Sequence, residues 1–240
     1  MQFAKIKLNG VDRPVFAFAK WSASVFVVFG RNKKAPADEQ AVRFAIYDGQ
    51  PIVWATDGHA LVMSVAAHVA KAAWVEEGAG RPIEFAPDAE QYVLASSLKS
   101  LCQKARVSQT MLFTLDAPEV YVVDGIADLQ TTSEIEATLL GELEPAGACS
   151  FGRTQLDQVR AALGAEHEHG APTWSMSSRF ASLFAAVAKA TDGGAAWCLN
   201  PPRGESPLCV QVAEDRDDST WTIAVMPRHA AAQSAQGVKR

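Results

Sequence analysis

Ile52 to Met63 reads IVWATDGHALVM. Two apolar runs, Ile52 to Thr56 and Ala60 to Val65, flank Asp57-Gly58. Asp-Gly is a turn former, because glycine reaches positive φ freely and an aspartate carboxylate bonds nearby backbone amides. The stretch predicts two strands joined by a tight turn. Upstream, Val42 to Tyr47 is a third strand-like run, with Asp48-Gly49 as a second turn signal. A helix near Pro14 to Val28 is expected before them, with Pro14 suited to its first turn. The end of that helix, VFVVF over Val25 to Phe29, reads equally well as strand.

The order of helix then three strands recurs. Ala95 to Arg106 places Leu98, Leu101, Cys102 and Ala105 on one helical face. Strand-like runs follow at Met111 to Leu115, Val120 to Val123 and Ala127 to Thr132, with Asp124-Gly125 as a hairpin signal. Ser177 to Ala190 repeats the pattern, with Phe180, Leu183, Phe184 and Val187 at i, i+3, i+4 and i+7. Ala195 to Asn200, Leu208 to Ala213 and Thr220 to Met226 follow it. The three units begin near 14, 95 and 177, a repeat of about 80 residues. A further helix, Arg153 to Leu163, turns Leu156, Val159 and Leu163 inward and leads into the polar link GAEHEHGA at Gly164 to Ala171. The expected division is residues 1–145 and 146–230, with 231–240 as a tail.

The chain has 240 residues, enough for one large domain or two ordinary ones. Apolar residues make up 48% of it, which excludes wholesale disorder. Net charge is −5, which excludes a uniformly basic nucleic-acid binder but not a local basic face. The longest apolar stretch, Val15 to Phe29, is too short to cross a bilayer and contains Lys20. Without an export signal, the four dispersed cysteines read as reduced thiols of a cytoplasmic protein. The spans 14–34, 95–106, 153–163 and 177–190 hold Lys20, Arg31, Lys33, Lys34, Lys99, Lys104, Arg106, Arg153, Arg160, Arg179 and Lys189. Asp157 is their single acid. A positive helical face on a negative protein attracts phosphates without reading sequence, although Lys and Arg also serve as ordinary solvated helix formers. No nucleotide-binding, nucleophile-elbow or zinc-protease motif is present. His167 and His169 stand without further ligands in a polar link, and His59 beside Asp57 reads as a turn histidine. Neither a catalytic site, a metal nor a cofactor is expected.

ATDGH followed by a small residue and Leu closely resembles the ATDGHRL segment of the bacterial sliding clamp, the β subunit of the replicative DNA polymerase. Ser206 to His229, SPLCVQVAEDRDDSTWTIAVMPRH, looks like that family's ending: a strand, an acidic loop, then a strand closing in VVMPMRL. Val225-Met226-Pro227 matches its VMP. Tyr92 to Ala105 is similar to the family's second-domain helix entry, and Ser177 to Ala190 to the helix before the last strands. The resemblance implies an α+β fold of duplicated β-α-β-β-β units, with helices on one face and antiparallel sheets on the other.

It also implies a function: a non-enzymatic processivity factor for DNA replication that surrounds or rides duplex DNA as a ring of copies of the chain. DNA polymerase and clamp loader would dock short hydrophobic peptides into a pocket. Carried over, that pocket comprises Thr56, Gly58, His59, Leu61, Val225, Met226 and Pro227, and the basic residues named above would face DNA. The family's Arg after His is Ala60 here, and its Met after Pro is Arg228. Bacterial clamps have three domains, whereas this chain has room for two, the last of them shortened. The alternative expectation is a monomeric peptide-binding adaptor or decoy that keeps the pocket and forms no ring.

Overall fold

The computed structural model describes residues 1–30, 40–47, 49–57, 59–68, 90–146, 157–159, 161, 181–190, 197–200, 207–213 and 220–225. The elements run β1 (Gln2–Leu8), β2 (Val11–Ala19), α1 (Lys20–Phe29), β3 (Ala41–Tyr47), β4 (Gln50–Thr56), β5 (Ala60–Val65), β6 (Ala67–His68) and β7 (Glu90–Leu94). Then come α2 (Ala95–Lys104), β8 (Gln109–Thr114), β9 (Glu119–Asp124), β10 (Glu134–Ile135), β11 (Thr138–Glu142), α3 (Ala181–Ala190), β12 (Trp197–Asn200), β13 (Leu208–Ala213) and β14 (Thr220–Val225).

Two sheets result. The first has the order β10-β1-β2-β8-β9-β11, with β6 also paired to β1. The second has the order β12-β13-β14-β5-β4-β3-β7. The last three strands therefore extend the sheet of β3 to β5, because β14 pairs antiparallel with β5. At the other margin, Leu94 N donates to Glu144 O and Ala146 N to Tyr92 O. The chain leaving β11 in the first sheet thus borders β7 in the second.

The expected first helix starts later than its sequence pattern suggested. Residues 11–19 form β2, and the helix begins at Lys20. In VDRPVFAFA the side chains alternate: Phe16 and Phe18 enter the central core, while Val15 and Ala17 enter a separate cluster on the other face. Period two is the signature of a strand. Pro14 is tolerated because β2 begins its pairing with β8 only at Val15. The strand before it, β1, went unread; its turn is Asn9-Gly10, both at positive φ, as a two-residue hairpin requires. The run Ala127 to Thr132 is not a strand. Asp128 closes a turn there, accepting from Gln130 N and Thr131 Oγ1. Leu129 plugs the outer face of the first sheet, and β11 takes the place beside β9.

The central core lies between the sheets and under the helices. Phe44 of the second sheet stacks on Phe113 of the first, with ring centroids 3.7 Å apart, and meets Phe16 at 5.7 Å. Phe26 of α1 stacks on Trp221 of β14 at 5.1 Å. Offset and tilted aromatic contacts of this kind add to the burial of large apolar areas. α1 lies between α2 and α3 and packs on both.

On the rim of the first sheet, Arg13 bonds both Glu119 and Asp116. The guanidinium holds the Glu119 carboxyl below its ordinary range. A depressed carboxylate contributes stability above its unfolded pKa and loses it as pH falls through the folded one. Glu119→Gln is therefore expected to cost up to about 1 kcal/mol at neutral pH and to flatten the acid limb of stability. Urea unfolding at pH 7 and pH 3 checks this; equal losses at both would refute it.

Candidate partner pocket and nucleic-acid face

The TDGH segment is the turn between β4 and β5, and it satisfies its own polar groups. Thr56 Oγ1 donates to Ala60 O at 2.9 Å. The Asp57 carboxylate accepts from His59 N at 2.9 Å and Ala60 N at 2.8 Å. This is the local bonding that favours aspartate in turns. His59 is exposed, while Thr56 is buried.

Strand registers sort the second sheet into two faces. On the outer face, Thr56, Leu61, Ala224 and Cys209 form one cross-strand row. The next row is Tyr92, Arg43, Trp54, Met63, Thr222 and Gln211. Leu61, Trp54, Met63, Ala224 and Cys209 pack into one apolar cluster with Ala45, Ile52 and Val159. Val225 pairs with Ala60 on the opposite face and belongs to the central core. So the structure brings Thr56 and Leu61 together and sets Val225 apart from them. Gly58, Met226 and Pro227 lie outside the described residues.

Sequence reading missed Ala224, which shares the row of Leu61, and Trp54, Met63 and Val159. The signal for Ala224 was the alternation along β14: two strands in register place Leu61 opposite Ala224, one residue before Val225. Val159 was expected to point inward, and it does, but onto this outer face. It is fully buried there, and Tyr47 Oη donates to Asp157 two residues earlier at 2.6 Å. The Leu61 row is thereby covered by the chain itself. Burial pushes the Cys209 thiol up to about 11, so it is an apolar filler and not a nucleophile.

The buried Arg43 guanidinium lies 4.2 Å from the Trp54 ring and 5.2 Å from that of Tyr92. Thr222 is also buried, and its Oγ1 has no hydrogen-bond partner among the described residues. Replacing such a hydroxyl by a methyl removes an uncompensated desolvation cost. Thr222→Val is expected to raise stability by about 1 kcal/mol. Urea unfolding checks it, and a clear loss of stability would contradict the assignment.

Of the basic residues, Lys20, Lys99, Lys104, Arg106 and Lys189 are described. Arg31, Lys33, Lys34, Arg153, Arg160 and Arg179 lie outside the described residues. α1, α2 and α3 carry Lys20, Lys99, Lys104 and Lys189 and not one acidic residue. Lys99, Lys104 and Arg106 are exposed. Lys20 Nζ donates to Ala105 O at 2.8 Å, tying α1 to the end of α2. Lys189 Nζ sits 4.1 Å from the Trp21 ring, joining α3 to α1. Apart from these, the outward residues of α1 are apolar, Trp21 and Val28.

No protein-family model and no curated protein matches the chain. Solved structures do. The Helicobacter pylori β clamp in complex with diflunisal matches at a TM-score of 0.50 and 10% identity, over 91% of this chain and 67% of that one. The same organism's clamp with 3,4-difluorobenzamide gives 0.48 and 8%, over 91% and 67%. A Pseudomonas aeruginosa DNA polymerase sliding clamp with ligand gives 0.45 and 11%, over 89% and 65%. The chain spans about two-thirds of the length of these proteins. The first of these matches, at that identity, speaks for the fold alone: the chain has the α+β fold of the bacterial DNA polymerase III β sliding clamps.

Proposed function

We propose that the chain is a shortened clamp-like processivity factor that rides duplex DNA in the cytoplasm through its helical layer. The observation that carries this reading is the three adjacent helices, lysine-bearing and free of acid, on a clamp fold within a protein of net charge −5. Phosphate attraction needs no sequence readout and no catalytic group. Residues 1–145 would form one clamp-like unit and 146–230 a reduced second one. Polymerase and loader would bring short hydrophobic peptides to the outer face that carries Thr56 and Leu61, beside the row that Val159 covers. Copies of the chain would join into a ring.

A second reading is a monomeric peptide-binding adaptor. It is favoured by β14, which pairs with β5 of its own chain and so uses that sheet edge internally. Sheet edges are the natural joints of such rings. Light scattering with nicked circular and linear duplex DNA separates the two. The clamp reading expects a multiple of 25.7 kDa and retention on nicked circles only. A monomer retained on neither DNA would replace it with the adaptor.

A further inference from the structure

The helical layer is not uniformly cationic. Its middle helix, α1, packs between α2 and α3 and turns Trp21 and Val28 outward, 40% and 48% exposed. They stand seven residues apart, on one side of the helix and about 10 Å from each other along its axis. The single cation of α1, Lys20, is tied to Ala105 O. The Lys189 ammonium reaches across from α3 and stands 4.1 Å from the Trp21 ring centroid. The sequences of the three helices contain no acid. The centre of the layer is thus an aromatic and apolar stripe with lysines on either side.

We infer that this stripe holds unpaired DNA, with a base stacked on Trp21 and the adjoining phosphate on Lys189. Phosphates alone do not account for the stripe, because pressing a hydrated anion on an apolar surface costs desolvation that nothing there offsets. A base offers a flat face that stacks on an indole whatever the sequence. A duplex hides those faces inside its own stack, so only an unpaired base can present one. An exposed contact between an ammonium and an indole is weaker than a base stacked on the same ring. The base therefore displaces the Lys189 ammonium, which stays within reach of the phosphate. Lysines without acids on all three helices complement a polyanion, which a neutral apolar partner would not require. That the polyanion is DNA rests on the clamp-like reading; that its bases are unpaired rests on Trp21.

Fluorescence anisotropy of the full chain tests this with a duplex bearing a short oligothymidine tail, a blunt duplex of equal charge, and the oligothymidine alone. The tailed duplex should bind about 10-fold more tightly than the blunt one. Trp21→Ala, which keeps an exposed helix position helical, should erase that margin and leave the blunt duplex unaffected. Trp21→Phe, which keeps a ring, should keep most of it. Equal affinity for tailed and blunt duplex, or a margin that survives Trp21→Ala, overturns the inference and leaves the clamp-like reading standing. If oligothymidine binds through Trp21 while no blunt duplex binds, the duplex-riding reading fails and the inference stands. If Trp21→Ala turns a dimer into a monomer in light scattering and no DNA affinity changes, a second copy covers the stripe and the inference is overturned. If none of the three DNAs binds, both fail.

Discussion

Reversing three charges together, K99E/K104E/R106E, is expected to abolish retention on duplex DNA while leaving the chain folded. All three side chains are exposed, and Lys and Glu have similar helix propensities. The cost in stability is confined to a few tenths of a kcal/mol, mostly from placing Glu in the last turn of α2. The cost in binding is large, because each lost phosphate contact removes about 0.9 from the slope of log affinity against log salt. Three contacts remove about 3 from that slope, and the new carboxylates repel the duplex as well. Fluorescence anisotropy between low and moderate salt measures this. A variant that keeps the parent's slope would place the DNA elsewhere and end the clamp reading. Lys20 is a poorer target, since its ammonium holds Ala105 O and joins α1 to α2.

Trp54→Ala is expected to cost about 3–5 kcal/mol in stability. Trp54 is 1% exposed at the centre of the outer face of the second sheet. Its removal leaves a large cavity between Leu61, Met63 and Val159 and strips the Arg43 guanidinium of its nearer aromatic neighbour. A cation left buried against an empty space loses a contact worth about 2 kcal/mol when desolvated. Urea unfolding gives the number. A loss below about 1 kcal/mol would show that the face relaxes around the gap and is no rigid docking surface. Tyr47→Phe is the matched control: it removes the bond to Asp157 and tests whether the 157–159 segment stays seated.

The two halves of the candidate function were legible to different degrees. The strands around TDGH, the helix over Ala95 to Lys104 and the last two strands are written in short-range patterns, and the structure keeps them within a residue or two of those readings. Pro14 misled because proline suits both a helix start and a strand edge, and only pairing with β1 and β8 decides between them. Asp128 decided against a strand at Ala127 to Thr132 by closing a turn on its own carboxylate. Val225 and Ala224 illustrate the same limit. Adjacent residues of a strand face opposite ways, so a one-residue difference in register moves a side chain from docking face to core.

The sequence by itself determined the alternation of helix and strands, the self-satisfied Asp57 turn and the concentration of basic residues, against the single acid Asp157, in the helical spans. Each depends on residues within a few positions of one another, or on composition alone. Only the tertiary structure decided that β12 to β14 complete the sheet of β3 to β5, that Val159 covers Leu61, and that the buried Thr222 Oγ1 finds no partner among the described residues. Those facts join residues about a hundred positions apart or more, and which distant strands meet is settled by where the shared core can close, not by any local pattern.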